Sequence, residues 1–376
     1  MIGRVLARLS IRFWLLVVLY GVIQAYLADD AVRAFSLAET SWLPAVVWAL
    51  FMTWSPMLLW RLEQRQAYRV PAMIFSWFVF GWMGFSFLCF WLAVATDLYG
   101  WTASLAGLSA PDPRQSFSAV LALTTALWLY GFYAARHPRV ERVTIRSDML
   151  PAGFPGLRIV QISDVHLGIM VGRRRLRRLL QRVTDLEPDI LVSTGDLVDG
   201  QAHYLDGLSS LFAACRPRYG KVAVTGNHER FVGLEHAIDF HLRAGFTMLR
   251  NERMEVADGA VVLAGVDDPS VLGHASDDAT VLEDCAERHC VILLKHQPVV
   301  DPDARFDLQL SGHTHNGQIF PFNLLVRLVY RKVAGLYRLA NGGQLYVSRG
   351  TGTWGPPLRI LSMPEITLVQ VERGDE

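Results

Sequence analysis

The chain has few cysteines and almost no net charge, and both scarcities exclude classes of protein. Its four cysteines are Cys89, Cys215, Cys285 and Cys290. Their spacings match neither a metal-binding motif nor a dense disulfide framework. This usage is typical of a reducing compartment. The formal net charge is only +1, so overall charge does not indicate a nucleic-acid partner.

Charge is absent altogether from four stretches within the first 135 residues, namely 13–28, 42–60, 71–96 and 117–135. A membrane-spanning helix needs about 20 apolar residues, so the sequence predicts a transmembrane region with four spans at residues 1–139. A cleaved signal peptide is the alternative for the first stretch. However, no convincing small-residue cleavage site follows that stretch, and three more spans do. Because no charged residue lies inside a span to form a proton or ion pathway, anchoring is the simplest role.

Arginines alternate between the two ends of these spans. Three precede the first span, three follow the second and three follow the fourth, whereas each remaining loop has one. The sets are Arg4, Arg8 and Arg12; Arg61, Arg65 and Arg69; Arg136, Arg139 and Arg142; the single residues are Arg33 and Arg114. Positively charged flanks remain in the cytoplasm. The pattern therefore predicts a multi-pass inner-membrane protein in which both the N-terminus and everything after Arg136 are cytoplasmic.

From about residue 140, short β-rich runs alternate with amphipathic stretches. The predicted strands are 157–162, 190–193, 222–225, 261–264, 291–294, 308–310, 345–348 and 366–371. The predicted helices are 172–186, 203–214, 233–244 and 279–289. Apolar strands mixed with amphipathic helices imply sheets covered by helices. We therefore expect an α/β domain at 140–376.

Five short polar clusters, each closing an apolar run, contain residue types that bind metal ions. They are Asp164-Val165-His166, Gly195-Asp196, Gly226-Asn227-His228-Glu229, Lys295-His296 and Ser311-Gly312-His313-Thr314-His315-Asn316-Gly317. Loops at strand ends bring distant residues to one point. Residues two apart in an extended segment point the same way, so Asp164 with His166, and His313 with His315, can each direct two ligands into one cavity. Nitrogen and oxygen ligands without thiolate suit manganese, iron or zinc.

In this order, the motifs Asp-x-His, Gly-Asp-x-x-Asp, Gly-Asn-His-Glu, a single His and Gly-His-x-His resemble those of the calcineurin-like metallophosphoesterase superfamily. The resemblance covers residues 157–372, and the segments 348–352 and 364–366 further resemble a membrane-attached bacterial branch. It implies a four-layer αββα sandwich of two mixed sheets flanked by helices, and a hydrolase that uses two divalent metals.

The resemblance also implies the role of each site residue. The first metal would be bound by Asp164, His166, Asp196 and His315, and the second by Asp196, Asn227, His296 and His313, so that Asp196 bridges them. His228 would be catalytic, stabilising or protonating the leaving oxygen. Asp199 is either a loop cap or a hydrogen-bond partner of a ligand on the one hand, or a functional residue on the other. Glu229 is expected to cap the chain or to form local hydrogen bonds.

Two further segments bear on the substrate. The arginine-rich segment 172–182 is either a solvated helix face or a contact for anionic lipid headgroups. The segment 319–337, which begins shortly after His315, mixes apolar and basic residues and is either a core helix or an interfacial, acyl-binding element.

We expect a membrane-anchored phosphoesterase that hydrolyses a phosphate ester or anhydride of a lipid-linked substrate at the inner membrane surface. One alternative is a phosphodiesterase for soluble nucleotides or small phosphoesters, with the membrane as location only. Another is a non-catalytic membrane sensor with a structural metal site.

Overall fold

The computed structural model describes residues 11–36, 42–283, 285 and 289–374. The chain divides into two compact units. One extends to Gly131 and includes Gly355–Pro357, and the other consists of Phe132–Trp354 and Leu358–Glu376. Arg4 and Arg8, which contribute to the predicted orientation, lie outside the described residues.

The first unit consists of long apolar helices. They are α1 (Ile11–Ala34), α2 (Trp42–Glu63), α3 (Arg69–Leu105) and α4 (Pro113–Ala134). By length and composition, all four could cross a membrane, as the sequence predicts. Many large apolar side chains on them are exposed, among them Leu16, Leu43 and Ile74. A helix in water would bury such side chains, whereas a helix in lipid exposes them.

Several polar side chains within these helices bond to one another or to the backbone. Gln24 donates to the Ser86 hydroxyl at 3.1 Å and accepts from the Trp82 indole at 2.9 Å. The Trp128 indole donates to the carbonyl of Gly81 at 2.9 Å. Because hydrocarbon offers no partners, such pairs hold neighbouring spans together.

The second unit contains two mixed six-stranded sheets. The first has the order β1-β12-β2-β3-β4-β5, with β1 (Arg139–Ser147), β2 (Leu157–Ile162), β3 (Ile190–Thr194), β4 (Lys221–Val224), β5 (Phe246–Met248) and β12 (Glu365–Arg373). The second has the order β10-β11-β9-β8-β7-β6, with β6 (Glu252–Val256), β7 (Val261–Gly265), β8 (Cys290–Leu294), β9 (Leu308–Ser311), β10 (Gly335–Arg338) and β11 (Gln344–Val347). Strands β2 to β5 are mutually parallel, as are β7, β8, β9 and β11.

Alternate residues along the central strands pack in two different cores, because successive side chains point to opposite faces. Ile159 packs in the core shared by the two sheets, which also contains Ile292 of the second sheet. The next residue, Val160, packs on the outer face of the first sheet with Leu176 and Phe240. Those two residues belong to the helices α5 (Arg173–Thr184) and α7 (Leu234–Arg243). The result is the layered αββα arrangement that the sequence predicts.

All eight predicted strands are present, with ends shifted by at most two residues. The four strands that the sequence analysis missed, β1, β5, β6 and β10, are the edge strands of the two sheets. An edge strand pairs with a neighbouring strand on one side only, and the side chains that it exposes are polar. The burial pattern of β6, in which only Val256 is fully buried, illustrates this. These strands therefore lack the continuous apolar run that marks a central one.

The helix predictions succeeded for 172–186 and 233–244, which correspond to α5 and α7. The prediction at 203–214 was wrong, because two short 3-10 helices, Ala202–Tyr204 and Ser209–Ala214, flank Gly207 in a left-handed conformation at φ +70°. The prediction at 279–289 was wrong in extent. Helix α9 spans only Asp278–Val281, and residues 284 and 286–288 lie outside the described part. Two other short helices are α6 (Asn227–Val232) and α8 (Pro269–Leu272).

The segment 319–337 is not a core helix. It contains α10 (Phe322–Val329), none of whose residues is buried, followed by the strand β10. The core-helix interpretation is therefore wrong, and the apolar residues of α10 face solvent.

Candidate metal centre

Each predicted site residue lies just after the carboxyl end of a strand. Asp164 and His166 follow β2, Asp196 follows β3, and Asn227 and His228 begin α6 after β4. In the second sheet, His296 follows β8, and His313 and His315 follow β9. Because strands β2 to β4 are parallel to one another, as are β8 and β9, the loops of each set emerge at one edge of its sheet. This explains how residues as far apart in the chain as Asp164 and His315 meet.

One group of potential ligand atoms combines Asp164, His166 and His315, whose atoms all lie within 4.8 Å of one another. The Nε2 atoms of His166 and His315 are 3.0 Å apart. His315 Nε2 lies 3.4 Å from Asp164 Oδ1, and His166 Nε2 lies 4.0 Å from Asp196 Oδ2. All three residues are almost fully buried.

A second group combines Asp196, His296 and His313 within the same limit of 4.8 Å. His296 Nε2 lies 3.3 Å from Asp196 Oδ2 and 3.1 Å from His313 Nδ1. Asn227 contributes a fourth potential ligand to this group, since its Oδ1 lies 3.3 Å from His296 Nε2. Since Asp196 Oδ2 faces both groups, its position fits a bridging ligand.

The hydrogen bonds of the outer ring atoms fit a cation at these groups. His296 Nδ1 lies 2.8 Å from the carbonyl of Thr194, which can only accept, so this nitrogen carries a proton. In the neutral ring, Nε2 then has its lone pair directed at Asp196 and Asn227. His313 Nε2 is hydrogen-bonded to Tyr330 Oη at 2.9 Å, which leaves Nδ1 facing the group. Such outer partners orient the histidine ligands of metal sites, and the nitrogen and oxygen donor set suits a divalent cation.

The electrostatics differ from one histidine of the site to the next: His296 holds a proton, whereas His313 and His315 are neutral. Burial would raise the pKa of Asp196 and lower that of His296, but the attraction between them prevails. It holds the pKa of Asp196 well below its usual value and that of His296 well above. Burial and the charge of His296 lower the pKa of His313 to about 4. Burial and Arg359 lower the pKa of His315 well below its usual value, so both rings are neutral.

Backbone strain is concentrated here. Five candidate ligands have a left-handed backbone that non-glycine residues rarely adopt, with φ of 53° at Asp164, 52° at His166, 51° at Asp196, 70° at His313 and 48° at His315. Each such conformation costs on the order of 1–3 kcal/mol and persists at functional sites, where the surrounding structure enforces it. Neighbouring Gly312 and Gly226 permit the close approach, since a Cβ would overlap the carboxylates of Asp164 and Asp196 respectively.

His228 lies beside both groups but bonds to Asp199. Its Nδ1 is 2.7 Å from Asp199 Oδ1, and its Nε2 is 4.0 Å from Asp196 Oδ2. Burial opposes a charge on this ring, but the carboxylates of Asp199 and Asp196 outweigh it and raise the pKa of His228 to about 9. The ring is therefore protonated at neutral pH, and Nε2 carries a proton on the side of the metal ligands. Asp199 also accepts from the N–H of Gly200 at 2.8 Å, so its contacts are those of a loop cap and of a hydrogen-bond partner that orients His228.

Replacing Asp199 with alanine is expected to lower activity by about 10–100-fold, because outer hydrogen-bond partners contribute about this much to activity or metal affinity. Asp199→Asn is the matched control, since its amide oxygen can still accept from His228 Nδ1, and it should lose less activity. Steady-state kinetics with metal analysis of each variant would test this. Equal losses in both variants would show that orientation of His228 is not the cause.

Sequence reasoning underestimated Glu229 and missed Arg359. The buried carboxylate of Glu229 accepts from the backbone N–H groups of Asp196 and Leu197, both at 2.9 Å, and of Gly226 at 2.7 Å. It therefore fixes two ligand loops against each other rather than bonding only locally. The fully buried Arg359 donates to the carbonyls of His315 and Gly352, and its Nη2 lies 3.0 Å from His315 Nδ1. The sequence does contain one signal for Arg359, because it is a charged residue within the apolar run 356–361.

Comparisons with known proteins identify the family of the second unit. The profile of the calcineurin-like phosphoesterase family matches residues 157–317. An uncharacterized metallophosphoesterase of Aquifex aeolicus is 42% identical over 258 residues, which cover 66% of this chain and 98% of that protein. A protein of Danio rerio named transmembrane protein with metallophosphoesterase domain is 36% identical over 278 residues, which cover 69% of this chain and 63% of that protein.

Solved structures are more distant. A dimetal phosphatase from Danio rerio has a TM-score of 0.35 and 12% identity, over 52% of this chain and 87% of that one. The assignment rests instead on the relatives in sequence. The polar clusters at the strand ends, the profile match and a relative matched over nearly its whole length lead to one conclusion: the chain belongs to the calcineurin-like metallophosphoesterase family and is a metal-dependent phosphoric ester hydrolase.

Proposed function

We propose that this protein is a membrane-anchored phosphoesterase with a dinuclear metal centre, which hydrolyses a phosphate ester or anhydride of a lipid-linked substrate at the inner membrane surface. In this proposal residues 1–139 form the transmembrane region and 140–376 the cytoplasmic catalytic domain. Four helices apolar enough to span a membrane and the name of the Danio rerio relative support membrane association. The observation that carries the lipid-linked substrate is the exposed apolar helix α10, which is linked to a candidate metal ligand.

The site residues would divide the chemistry among them. Asp164, His166, Asp196 and His315 would hold one cation, and Asp196, Asn227, His296 and His313 the other. Manganese, iron or zinc, when bound, would offset charge on the phosphoryl oxygens and make water more acidic. His228 would hold a proton at Nε2 for the leaving oxygen, and Asp199 would keep the ring in that orientation. The His228–Asp199 pair favours the enzyme over a sensor with a structural metal site, which would need no oriented acid.

The surface of α10 fits an acyl chain or the membrane interface. The exposed fractions of its residues are 52% for Leu324, 50% for Leu325, 83% for Leu328 and 75% for Val329. Arg327 on the same helix and Arg331 just after it are also exposed. Apolar and basic side chains together are typical of helices that lie in a membrane interface. Tyr330, the residue after α10, bonds to His313 through its hydroxyl, so the apolar surface adjoins the metal centre.

A second candidate function, a phosphodiesterase for soluble nucleotides, has one observation in its favour. The rings of Phe231 and Trp354 lie 5.0 Å and 5.9 Å from that of His228. Both are more than half exposed, at 66% and 56%. Exposed aromatic rings beside a phosphate-cleaving site can stack on a nucleobase. For this candidate the membrane would serve only as location.

Replacing Leu324, Leu325 and Leu328 together with serine separates the two candidates. If the serine variant loses contact with only two methylene groups of the substrate's acyl chain, at about 0.8 kcal/mol each, kcat/KM for a lipid phosphoester should fall about tenfold. The rate with a small soluble phosphodiester should change little. Leu242→Ser on α7, where the leucine is equally exposed, is the matched control. If both substrates are impaired equally, α10 is not a lipid-binding element and the lipid-linked substrate loses its main support.

The orientation follows from the alternating arginines and can be measured directly. A reporter fused at the C-terminus is expected to behave as cytoplasmic, and a reporter inserted near Asp112, between α3 and α4, as external. Activity of paired reporters that function on opposite sides of the membrane provides the readout. The reverse pattern would contradict the proposed location of the catalytic domain.

Identifying the substrate requires an unbiased assay. The purified full chain would be incubated with a total lipid extract, and the phosphate-containing lipids compared before and afterwards by mass spectrometry. We expect one class to disappear with the wild-type protein and to persist with Asp196→Ala. If no lipid changes while soluble nucleotides are hydrolysed, the second candidate is the correct one.

A further inference from the structure

A cluster of arginines lines a cavity that the proposed hydrolysis does not use. The cavity is formed in part by Arg136, Arg175, Arg178 and Arg182, and none of its lining residues is a candidate metal ligand. Three of these arginines, at positions 175, 178 and 182, belong to α5. Residues three and four apart share one face of a helix, so α5 directs this set into the cavity. Arg174 and Arg177 do not line the cavity, whereas Arg178 does although it is exposed.

The partners of Arg175 leave its charge uncompensated. Its guanidinium donates to the carbonyl of Ala135 at 2.6 Å and to the Thr353 hydroxyl at 3.3 Å, both of which are neutral. Burial first, and then the charges of Arg136 and Arg178, lower the pKa of Arg175 to about 10. Within the described residues, the arginine ion pairs involve arginines other than Arg175, Arg178 and Arg182. Gathering like charges around a cavity is unfavourable unless an anion binds there.

The position of the cavity along the chain indicates which anion. Arg136 follows Ala134, the last residue of α4, by two positions, and α4 is apolar enough to span a membrane. A basic residue directly after a span lies at the level of the lipid headgroups. Guanidinium groups bind phosphate through paired, charge-assisted hydrogen bonds. We propose that this cavity binds the phosphate group of an anionic phospholipid headgroup, at a site separate from the metal centre.

The cavity also shares a wall with the metal-ligand segment. Val165, which lines it, stands between the candidate ligands Asp164 and His166. Two further lining residues bond to the same segment: the Thr351 N–H donates to the Ser163 carbonyl at 2.7 Å, and the Gly352 N–H donates to the Asp164 carbonyl at 3.0 Å. The proposed headgroup site and the metal centre therefore share this segment of the chain.

Binding can be tested without turnover. Native mass spectrometry of the full chain in detergent would measure the affinity for short-chain phosphatidylglycerol, with phosphatidylcholine and inorganic phosphate as separate arms. Arg175→Gln with Arg178→Gln removes two cavity arginines, and Arg174→Gln with Arg177→Gln removes two arginines of the same helix that do not line the cavity. We expect the cavity pair to weaken phosphatidylglycerol binding about tenfold or more per arginine, and the control pair to change it less than about threefold. Phosphatidylcholine should bind weakly to all proteins.

Any other result would contradict part or all of the proposal. Equal weakening by the two pairs would mean a diffuse basic surface and would overturn it, as would unchanged binding in both. Arginine-dependent binding of inorganic phosphate without phosphatidylglycerol would keep the phosphate site and overturn the lipid as its source. If the cavity pair fails to fold, Arg182→Gln, judged by its melting temperature, replaces it with the same expected direction. None of these outcomes depends on hydrolysis, so the result is independent of the proposed substrate.

Discussion

Replacing Asp196 with alanine is expected to remove most of both metal ions, and hydrolysis with them. Its Oδ2 lies 3.3 Å from His296 Nε2 and 4.0 Å from His166 Nε2, so a single side chain serves both groups of ligands. Loss of a bridging carboxylate removes a negatively charged ligand from each cation at once. Elemental analysis should find about two transition-metal ions per wild-type chain. The variant should contain only a small fraction of that amount.

Asp206→Ala, which removes an exposed carboxylate, should leave the metal content unchanged. If Asp196→Ala fails to fold, Asp196→Asn is the substitute, because it retains an oxygen ligand but not the charge, and an intermediate metal content is expected. Full metal content in the alanine variant would show that the ligand assignment is wrong.

Replacing His228 with alanine is expected to lower kcat by about 10²–10⁴-fold without loss of metal. A positioned general acid contributes about this much, and His228 is held by Asp199 with its Nε2 directed towards Asp196. The loss should be larger for an ester with a poor leaving group, such as an alkoxide, than for an activated aryl ester, whose leaving group needs no proton.

Kinetics with a series of leaving groups would measure this dependence. His236→Ala, which removes an exposed histidine of α7, provides the control and should be near wild type. A smaller loss with the poor leaving group, or a loss of metal, would contradict the role in proton transfer.

The central strands and the site were predictable for the same physical reason. A buried parallel strand must be apolar on both faces, so runs such as Leu157–Ile162 are visible in the sequence, and a polar cluster at the end of each run marks the loop. The edge strands β1, β5, β6 and β10 were not visible, because half of each faces solvent. Pairing at an edge depends on the neighbouring strand, which local sequence does not specify.

The supporting residues were less predictable than the candidate ligands. Ligands recur at short spacings, as in Asp164-x-His166, whereas their partners come from distant parts of the chain. Arg359 reaches the carbonyl of His315 across 44 residues, and Glu229 reaches the N–H of Asp196 across 33. Such contacts depend on tertiary packing, so only the fold reveals them. The exposure of α10 was undecided for a similar reason, since an apolar stretch can be a core helix or an interfacial one.

The most direct measurement of the central claim is hydrolysis of an aryl phosphodiester by the purified full chain, before and after chelation. The account predicts that chelation abolishes turnover and that added manganese, iron or zinc restores it in the wild-type protein but not in Asp196→Ala. Turnover that persists in the metal-free protein, or a metal-loaded protein that cleaves neither aryl nor lipid phosphoesters, would contradict it.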